Sequence, residues 1–428
     1  MSTSINVEQR RLKYLTHEPL AYGANEAALD DNPDWPRFVR ITDIHENGTL
    51  RDETFRSLSP DVAEPYLLQK GDVLFARSGA TVGKTFIYRP AWGQACFAGY
   101  LIRFRSAQEL VLPEFIYFFS QSDIYWRQIK LGTIQATIQN FSAEKYAELV
   151  VCLPPLNTQR LIVDYLDSET ARIDGLIAEK ERMLTLLEEK RAALLSRVVT
   201  RGLDTTVPLK PSGQEWLGEI PAHWGLQRLK QLAEVRGGLT LGKRYSGELL
   251  EYPYLRVANV QDGYLKLDDV LTVEVPASEA ASNLLAYGDV LMNEGGDIDK
   301  LGRGCVWREE VTPCLHQNHV FAVRPHSVDS DWLALWTSTL EAKRYFESRA
   351  KRSTNLASIS GSNVKELPVP LPPINEQRAI GRFLAGRHSR LENLRRELRE
   401  SLRLLAERRV ALITAAVNGL IPLERMLG

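Results

Sequence analysis

Basic and amide side chains are concentrated in a few short segments of this 428-residue chain. Between Lys70 and Arg105 there are six Lys and Arg residues and one acidic residue, a local charge of +5 in a chain of net charge −1. Lys and Arg bind phosphates, whereas Asn, Gln and bidentate Arg can hydrogen-bond to base edges. The side chains of the first half that could make such contacts are Arg77, Ser78, Lys84, Thr85, Arg103, Arg105, Lys130, Gln135 and Thr137.

The corresponding segment of the second half, residues 287–324, is acidic overall, with four basic and six acidic residues. Its positive charge lies instead in SRAKRSTN, which begins at Ser348. An alternative for both halves is that these are solvated loop charges and turn residues. The second set of candidates is Asn293, Arg303, Gln317, Asn318, Lys351, Arg352, Thr354 and Asn355.

Two other motifs resemble ligand-binding sites, but the rest of the sequence argues against both. SGATVGKT at Ser78 is close to a phosphate-binding loop, but TFIYRP follows and predicts a strand where such a loop must enter a helix. A second cluster offers Cys and His side chains, which are zinc ligands. The residues aligned with this cluster in the first half are Phe86, Ala95, Phe97 and Tyr100, so the shared fold does not need a metal. We therefore expect neither a bound nucleotide at the first motif nor a bound metal at the second. The cluster consists of Cys305, Cys314, His316 and His319.

The elements that must position these residues occur twice. RLKYL at Arg11 matches RLKQL at Arg228, KGDVLFARSG at Lys70 matches YGDVLMNEGG at Tyr287, and GTIQATI at Gly132 matches STNLASI at Ser353. The offsets stay between 217 and 221, which indicates a duplication of about 215 residues. Each half predicts short strands, a helical patch, a polar loop and a last strand that ends at two prolines.

Each half closes with a long helix. LPPLNTQR and LPPINEQR precede segments in which apolar residues alternate at intervals of three and four, the spacing of a heptad seam. Asn157 and Asn375 are expected N-caps, and Gly202 and Gly419 expected ends. The predicted seam residues are Ile173, Ile177, Leu184, Leu187, Leu194, Leu391, Leu398, Leu402, Leu405 and Leu412.

The two helices also contain residues that a helix pair must accommodate. Gly175 and Gly386 are expected to interrupt the helices locally. Four basic side chains occupy seam positions, and we expect them to find acidic partners or to extend to the seam's edge. They are Lys180, Arg191, Arg395 and Arg409.

Bulk properties set the remaining expectations. No signal peptide and no apolar membrane span are evident, and four cysteines without a CxxC pair fit a reducing cytoplasm. The patterns predict globular modules at residues 1–156 and 224–374, long helices at 157–202 and 375–428 (the latter with a C-terminal tail), and a docked connector at 203–223.

The order of module, LPP-helix, connector, second module and second LPP-helix resembles that of the specificity subunit of Type I restriction–modification systems, and the resemblance covers the whole length of the chain. Its most specific motifs are, in chain order, GDVLFARSG, LPPLNTQR, EWLGEIPAHW, GDVLMNEGG and LPPINEQR. The resemblance implies an α+β fold, with two repeated α/β target-recognition domains separated by two long antiparallel coiled-coil helices in pseudo-two-fold symmetry.

It further implies a subunit without catalytic residues, which reads a bipartite, asymmetric double-stranded DNA target. Its partners would be two methyltransferase subunits, which use S-adenosylmethionine to methylate adenine, and restriction subunits with translocase activity, which use ATP and Mg. No cofactor and no membrane are expected for this chain itself. The alternatives are an unrecognised methyltransferase or nuclease, and a scaffold that binds only proteins.

Overall fold

The computed structural model describes residues 7–45, 48–133, 140–243, 245–296, 298, 301–352 and 356–427. The chain divides into two compact units. Unit 1 comprises Met1–Arg182 and Leu398–Gly428, and unit 2 comprises Met183–Glu397. Each unit therefore combines one repeated module with part of both long helices, whereas the sequence patterns separated modules from helices.

The module of unit 1 contains eight strands and four short helices among its described residues. Its helices are α1 (Pro60–Ala63), α2 (Pro113–Phe119), α3 (Asp123–Thr133) and α4 (Ala143–Ala147). Its strands are β1 (Glu8–Arg11), β2 (Ala21–Tyr22), β3 (Arg37–Val39), β4 (Val73–Ala76), β5 (Thr85–Ile87), β6 (Ala95–Phe97), β7 (Leu101–Phe104) and β8 (Val150–Leu153).

Unit 2 begins with a connector and continues into the second module. The connector forms the hairpin β9 (Leu209–Pro211) and β10 (Glu219–Pro221). The helices are α6 (Ala277–Asn283), α7 (Ser330–Thr337), α8 (Leu340–Arg349) and α9 (Gly361–Lys365). The remaining strands are β11 (Gly225–Arg228), β12 (Ala233–Arg236), β13 (Leu250–Leu255), β14 (Leu271–Val275), β15 (Val290–Asn293), β16 (Gly295–Gly296), β17 (Gly304–Val306), β18 (Leu315–His316), β19 (Val320–Pro325), β20 (Lys351–Arg352), β21 (Ala357–Ser358) and β22 (Pro368–Leu371).

The central sheets of the two modules have the same topology. The antiparallel order is β2-β7-β4-β5 in unit 1 and β12-β19-β15-β17 in unit 2. In both modules the first strand pairs antiparallel with the last, β1 with β8 and β11 with β22. A parallel pair flanks each sheet, β3 with β6 and β13 with β18. These matches confirm the repeat predicted from the sequence.

The aspartate of each GDV motif has a structural function. Asp72 and Asp289 are buried, and each carboxylate accepts two hydrogen bonds from one guanidinium group. Nε and Nη2 of Arg105 lie 2.8 and 2.7 Å from Asp72. The same two atoms of Arg324 each lie 2.8 Å from Asp289. Each carboxylate also accepts a backbone N–H three residues upstream, from Gln69 or Ala286. The motif therefore ties the two central strands of each sheet together.

The connector packs as the sequence predicts. Trp224, which follows it, is fully buried in the core of unit 2, and Trp216 lies against that core with its ring 6.1 Å from Trp336. Glu376 in the adjoining helix accepts the Trp224 Nε1–H at 3.2 Å. The aromatic side chains hold the connector on unit 2.

The long helices are α5 (Leu156–Arg201) and α10 (Ile374–Val417). Both begin one residue before the predicted N-cap asparagines, because Pro155 and Pro373 accept the first helical hydrogen bonds from Gln159 and Gln377. The buried side chains of these two glutamines also bind backbone groups of the preceding loops, Leu110, Leu112 and Pro154 in unit 1 and Pro372 and Asp329 in unit 2. The glutamine of each LPP motif thus fixes the helix start on its own module.

The predicted interruptions at Gly175 and Gly386 are wrong, since both helices run through them without a break. A helical glycine costs only about 1 kcal/mol relative to alanine. Packing at Ile173, which is fully buried, and the ion pair of Asp174 with Arg409 outweigh that cost near Gly175. The predicted ends are confirmed: Gly202 and Gly419 have φ values of +75° and +69°.

Within each unit the two helices run antiparallel. In unit 1, Ile162, Val163 and Leu166 share a core with Ile413 and Ala416. In unit 2, the equivalent core includes Val198, Val199, Ile380 and Leu384. Among the described residues no helix is both long enough and apolar enough to span a membrane.

Candidate nucleic-acid interface

The predicted contacts of unit 1 divide into exposed and engaged side chains. Lys84, in the turn before β5, and Lys130, on α3, are exposed. The Thr85 hydroxyl lies 2.7 Å from that of Ser120, and Ser78 forms a β-bridge with Asn140. The strand β5 follows directly after Gly83-Lys84, as predicted for the loop that resembles a phosphate-binding loop.

Arg103 and Arg105 are held by the protein. The Arg103 side chain is 10% exposed, lies 5.6 Å from the centre of the Phe97 ring, and has its pKa lowered mainly by burial. Arg105 is bound by Asp72 and lies 3.1 Å from Glu18, and its hydrogen bonds with Asp72 raise its pKa. The segment of residues 70–105 is therefore less positive toward solvent than its composition indicates, because acidic partners neutralise part of its charge. The sequence alone does not reveal these partners.

Arg77 lies directly after β4, at one end of the central sheet. Its N–H donates to Tyr100 O at 3.0 Å, and its own carbonyl accepts from Phe141 N at 2.8 Å. Its guanidinium carbon lies 4.9 Å from the centre of the Tyr22 ring, and Nη1 donates to Gly99 O at 3.3 Å. Tyr22 is 38% and Tyr100 64% exposed. Sequence reasoning identified Arg77 but missed these two tyrosines.

In unit 2 the predicted contacts again have different environments. Asn293 is 1% exposed, and its Nδ2 donates to Val260 O at 3.0 Å, so it braces a turn. Arg303 is half-buried, whereas Lys351 and Arg352 are exposed on β20. Gln317 and Asn318 lie half-exposed between β18 and β19. The predicted contacts Gln135, Thr137, Thr354 and Asn355 lie outside the described residues.

In unit 2 a glutamate, Glu294, occupies the position that Arg77 occupies in unit 1, and it pairs with a histidine. Glu294 follows β15 directly, and its Oε2 lies 2.6 Å from Nδ1 of His319. The Glu294 side chain is 27% and the His319 side chain 56% exposed. Neither residue of this pair was predicted as a DNA contact, because Glu294 is acidic and His319 was considered only as a metal ligand.

The cysteines of unit 2 are embedded in the sheet. Burial raises the pKa of Cys305 and that of Cys314 to about 12, which keeps both thiols protonated at neutral pH. His316 is also buried, with Nδ1 2.7 Å from Val320 O, and burial lowers its pKa. No group of three or more potential ligands among the described side chains has the geometry of a metal site.

The predicted seam residues line the long helices on their less exposed side. Ile173 and Leu398 are buried, and the other eight are half-buried: Ile177, Leu184, Leu187, Leu194, Leu391, Leu402, Leu405 and Leu412. Of the basic seam residues, Arg395 pairs with Glu188 at 2.6 Å within unit 2, and Arg409 pairs with Asp174 at 2.8 Å within unit 1. The expectation of acidic partners is confirmed for both.

A cleft of about 960 Å³ opens in unit 2. Residues of α5, including Leu194, and of α10, including Leu391, form one side, and the module forms the other. Its lining contains five arginines and four carboxylates, so it combines apolar surface with a small excess of positive charge. Arg382 and Arg387, both exposed, extend from α10 along it.

Two modules of one topology, each followed by a long helix, match a known family. The family model of the Type I restriction modification DNA specificity domain matches residues 28–184 and 221–400. The chain belongs to this family. Each matched region covers most of one repeat, and the role of such specificity subunits in Type I systems is not catalytic.

Individual relatives are distant. The chain is 23% identical over 318 residues to the specificity subunit of the Type I restriction enzyme EcoKI from Escherichia coli K12, covering 73% of this chain and 66% of that one. It is 28% identical over 173 residues to the putative specificity subunit of MjaX from Methanocaldococcus jannaschii, covering 40% of each. The chain thus spans slightly less than two thirds of the first relative and two fifths of the second.

Solved structures support the fold. A chain from a study of complex assembly and conformational transition of the type I R-M system superposes with a TM-score of 0.75 at 18% identity, covering 97% of this chain and 98% of that one. The HsdS subunit from Thermoanaerobacter tengcongensis gives a TM-score of 0.54 at 19% identity, covering 97% of each chain.

Proposed function

We propose that this chain is the non-catalytic DNA-specificity subunit of a Type I restriction–modification complex and that each module reads one half of a bipartite, asymmetric target. The observation that carries the proposal is the repeat itself. The modules share their strand order and their buried Asp–Arg pair, yet they place Arg77 and Glu294 at the same position. One scaffold with different exposed side chains is what two different half-sites require.

Methylation in the complex is assigned to partner subunits. Two methyltransferase subunits would bind S-adenosylmethionine and transfer the methyl group to adenine, a reaction that requires the base to be flipped out of the duplex. Restriction subunits would use ATP and Mg. The present chain would hold the DNA in register during these steps, through phosphate contacts of exposed cations such as Lys84, Lys130 and Lys351.

We further propose that a methyltransferase subunit docks on the cleft of unit 2. The cleft joins residues of both long helices to the module, so a partner seated there would contact the elements that organise the unit. Its apolar lining supplies area to bury, and Arg382 and Arg387 favour an acidic rim on the partner.

Charge reversal at the cleft tests this assignment. We co-produce the double variant Arg382→Glu, Arg387→Glu with the methyltransferase subunits. In a pull-down, the variant should retain these subunits about tenfold less than the wild-type chain does, because the new carboxylates would repel an acidic rim on the partner. The wild-type complex should in parallel enrich one family of sequences from a pool of random duplexes.

Arg390→Glu is the matched control, because Arg390 lies on the same helix, is exposed and does not line the cleft. Equal retention by the double variant and the control would refute docking at the cleft. A wild-type complex that enriches no sequence would refute the proposed function.

A further inference from the structure

Arg77 and Glu294 occupy one and the same backbone site in the two modules. Arg77 N donates to Tyr100 O at 3.0 Å, and Glu294 N donates to His319 O at 2.9 Å. Phe141 N donates to Arg77 O, and Ile359 N donates to Glu294 O, both at 2.8 Å. The residues therefore correspond through their hydrogen bonds as well as through the alignment of GDVLFAR with GDVLMNE. The backbone at this site is fixed, and only the side chains differ.

The site is placed where a side chain can reach a ligand. It follows the central strand of the sheet, β4 or β15, and adjoins the residue that precedes β7 or β19. In unit 1 the side chains are Arg77 and the exposed rings of Tyr22 and Tyr100. In unit 2 they are Glu294 and the exposed His319.

The inversion of charge distinguishes between two kinds of DNA contact. A phosphate contact uses a cation or a neutral hydrogen-bond donor, and a carboxylate at the same place would be repelled by the DNA backbone. A base contact instead requires whichever donor or acceptor complements the base. Arginine complements O6 and N7 of guanine, and glutamate accepts a hydrogen bond from N4 of cytosine.

We propose that this site is a base-reading position in both modules, with guanine contacted by Arg77 and cytosine contacted by Glu294. This inference rests on the proposed function and adds its specificity-determining residues. His319 acts as a positioning residue: its Nδ1 holds Oε2 of Glu294 at 2.6 Å, while no other described residue hydrogen-bonds to Oε1, the oxygen we assign to the base. In unit 1 the ring of Tyr22 holds the guanidinium in the same way, by stacking.

The test uses the full complex with its methyltransferase subunits and selection from random DNA duplexes. In Glu294→Gln, selectivity at one base pair of one half-site should fall roughly 5- to 150-fold, the discrimination of one good side-chain–base contact, while the other positions keep theirs. His319→Phe should lower selectivity at the same base pair. The double variant Glu294→Arg, His319→Tyr should move that base pair from cytosine toward guanine.

Arg77→Ala should lower selectivity at one base pair of the other half-site. Arg77→Lys should lower it less than Arg77→Ala does, because lysine retains the charge, but it should not restore it, because lysine lacks the bidentate fork. Glu251→Gln, an exposed carboxylate on β13 of the same module, is the control and should leave the enriched sequence unchanged. An unchanged sequence in Glu294→Gln, or an equal loss at every position, overturns the base assignment alone. A wild-type complex that enriches no sequence removes the proposed function as well.

Discussion

Replacing residues 1–150 by the corresponding module of another specificity subunit should change one half of the selected DNA sequence completely and leave the other half intact. The expectation follows from the fold. The first module has its own central sheet, β2-β7-β4-β5, and a core whose described members all belong to unit 1. Its candidate reading residues, including Arg77, lie inside the exchanged segment.

The exchange is measured by selection from random duplexes with the assembled complex. The reciprocal exchange of residues 224–374 provides the matched comparison and should alter the other half. If either exchange changes both halves, or neither half, the assignment of one half-site to each module is wrong. Retained pull-down of the methyltransferase subunits shows that the hybrid chain has assembled.

Removing the buried aspartate of the GDV motif should cost the first module about 2–3 kcal/mol of unfolding free energy. Breaking a buried ion pair typically costs 3–5 kcal/mol because a charge is left without its partner. For Asp72→Ala the loss should lie below that range, since Arg105 is a quarter exposed and keeps Glu18 at 3.1 Å. Urea unfolding of the full chain measures it.

Asp123→Ala is the control, because Asp123 is 57% exposed and lies 3.7 Å from Arg127, so its removal should change stability by less than about 0.5 kcal/mol. Equal effects of the two substitutions would contradict the structural function of Asp72. The companion variant Arg105→Ala addresses the original interpretation of Arg105 as a DNA contact. A loss of DNA binding with unchanged stability would restore that interpretation.

The features predicted best from the sequence are those that depend on local spacing and on repetition. The heptads identify both long helices, and the paired prolines with the asparagines after them predict each start to within one residue. The aligned motifs identify two modules of one topology. The glycines at 175 and 386 mislead because packing outweighs a propensity of about 1 kcal/mol. Local signals predict elements, but tertiary contacts decide whether an element is interrupted.

The candidate site was predicted less well, because side-chain partners come from distant parts of the chain. Asp72 neutralises Arg105 across 33 residues, and Tyr22 reaches Arg77 across 55, so neither pair is a sequence motif. The local net charge led us to predict Arg103 and Arg105 as DNA contacts, but other side chains of the protein bind both. Glu294 was not predicted because it is acidic, although the repeat aligns it with Arg77 and the backbone hydrogen bonds of the two residues match.

The most direct test of sequence reading by this chain is a map of methylated adenines in DNA from cells that contain the chain and its methyltransferase subunits. We predict one motif with two different specific halves and an unspecific spacer, present only when this chain is produced. Methylation at a motif that persists without the chain, or methylation with no common sequence, would contradict the assignment of DNA specificity to it.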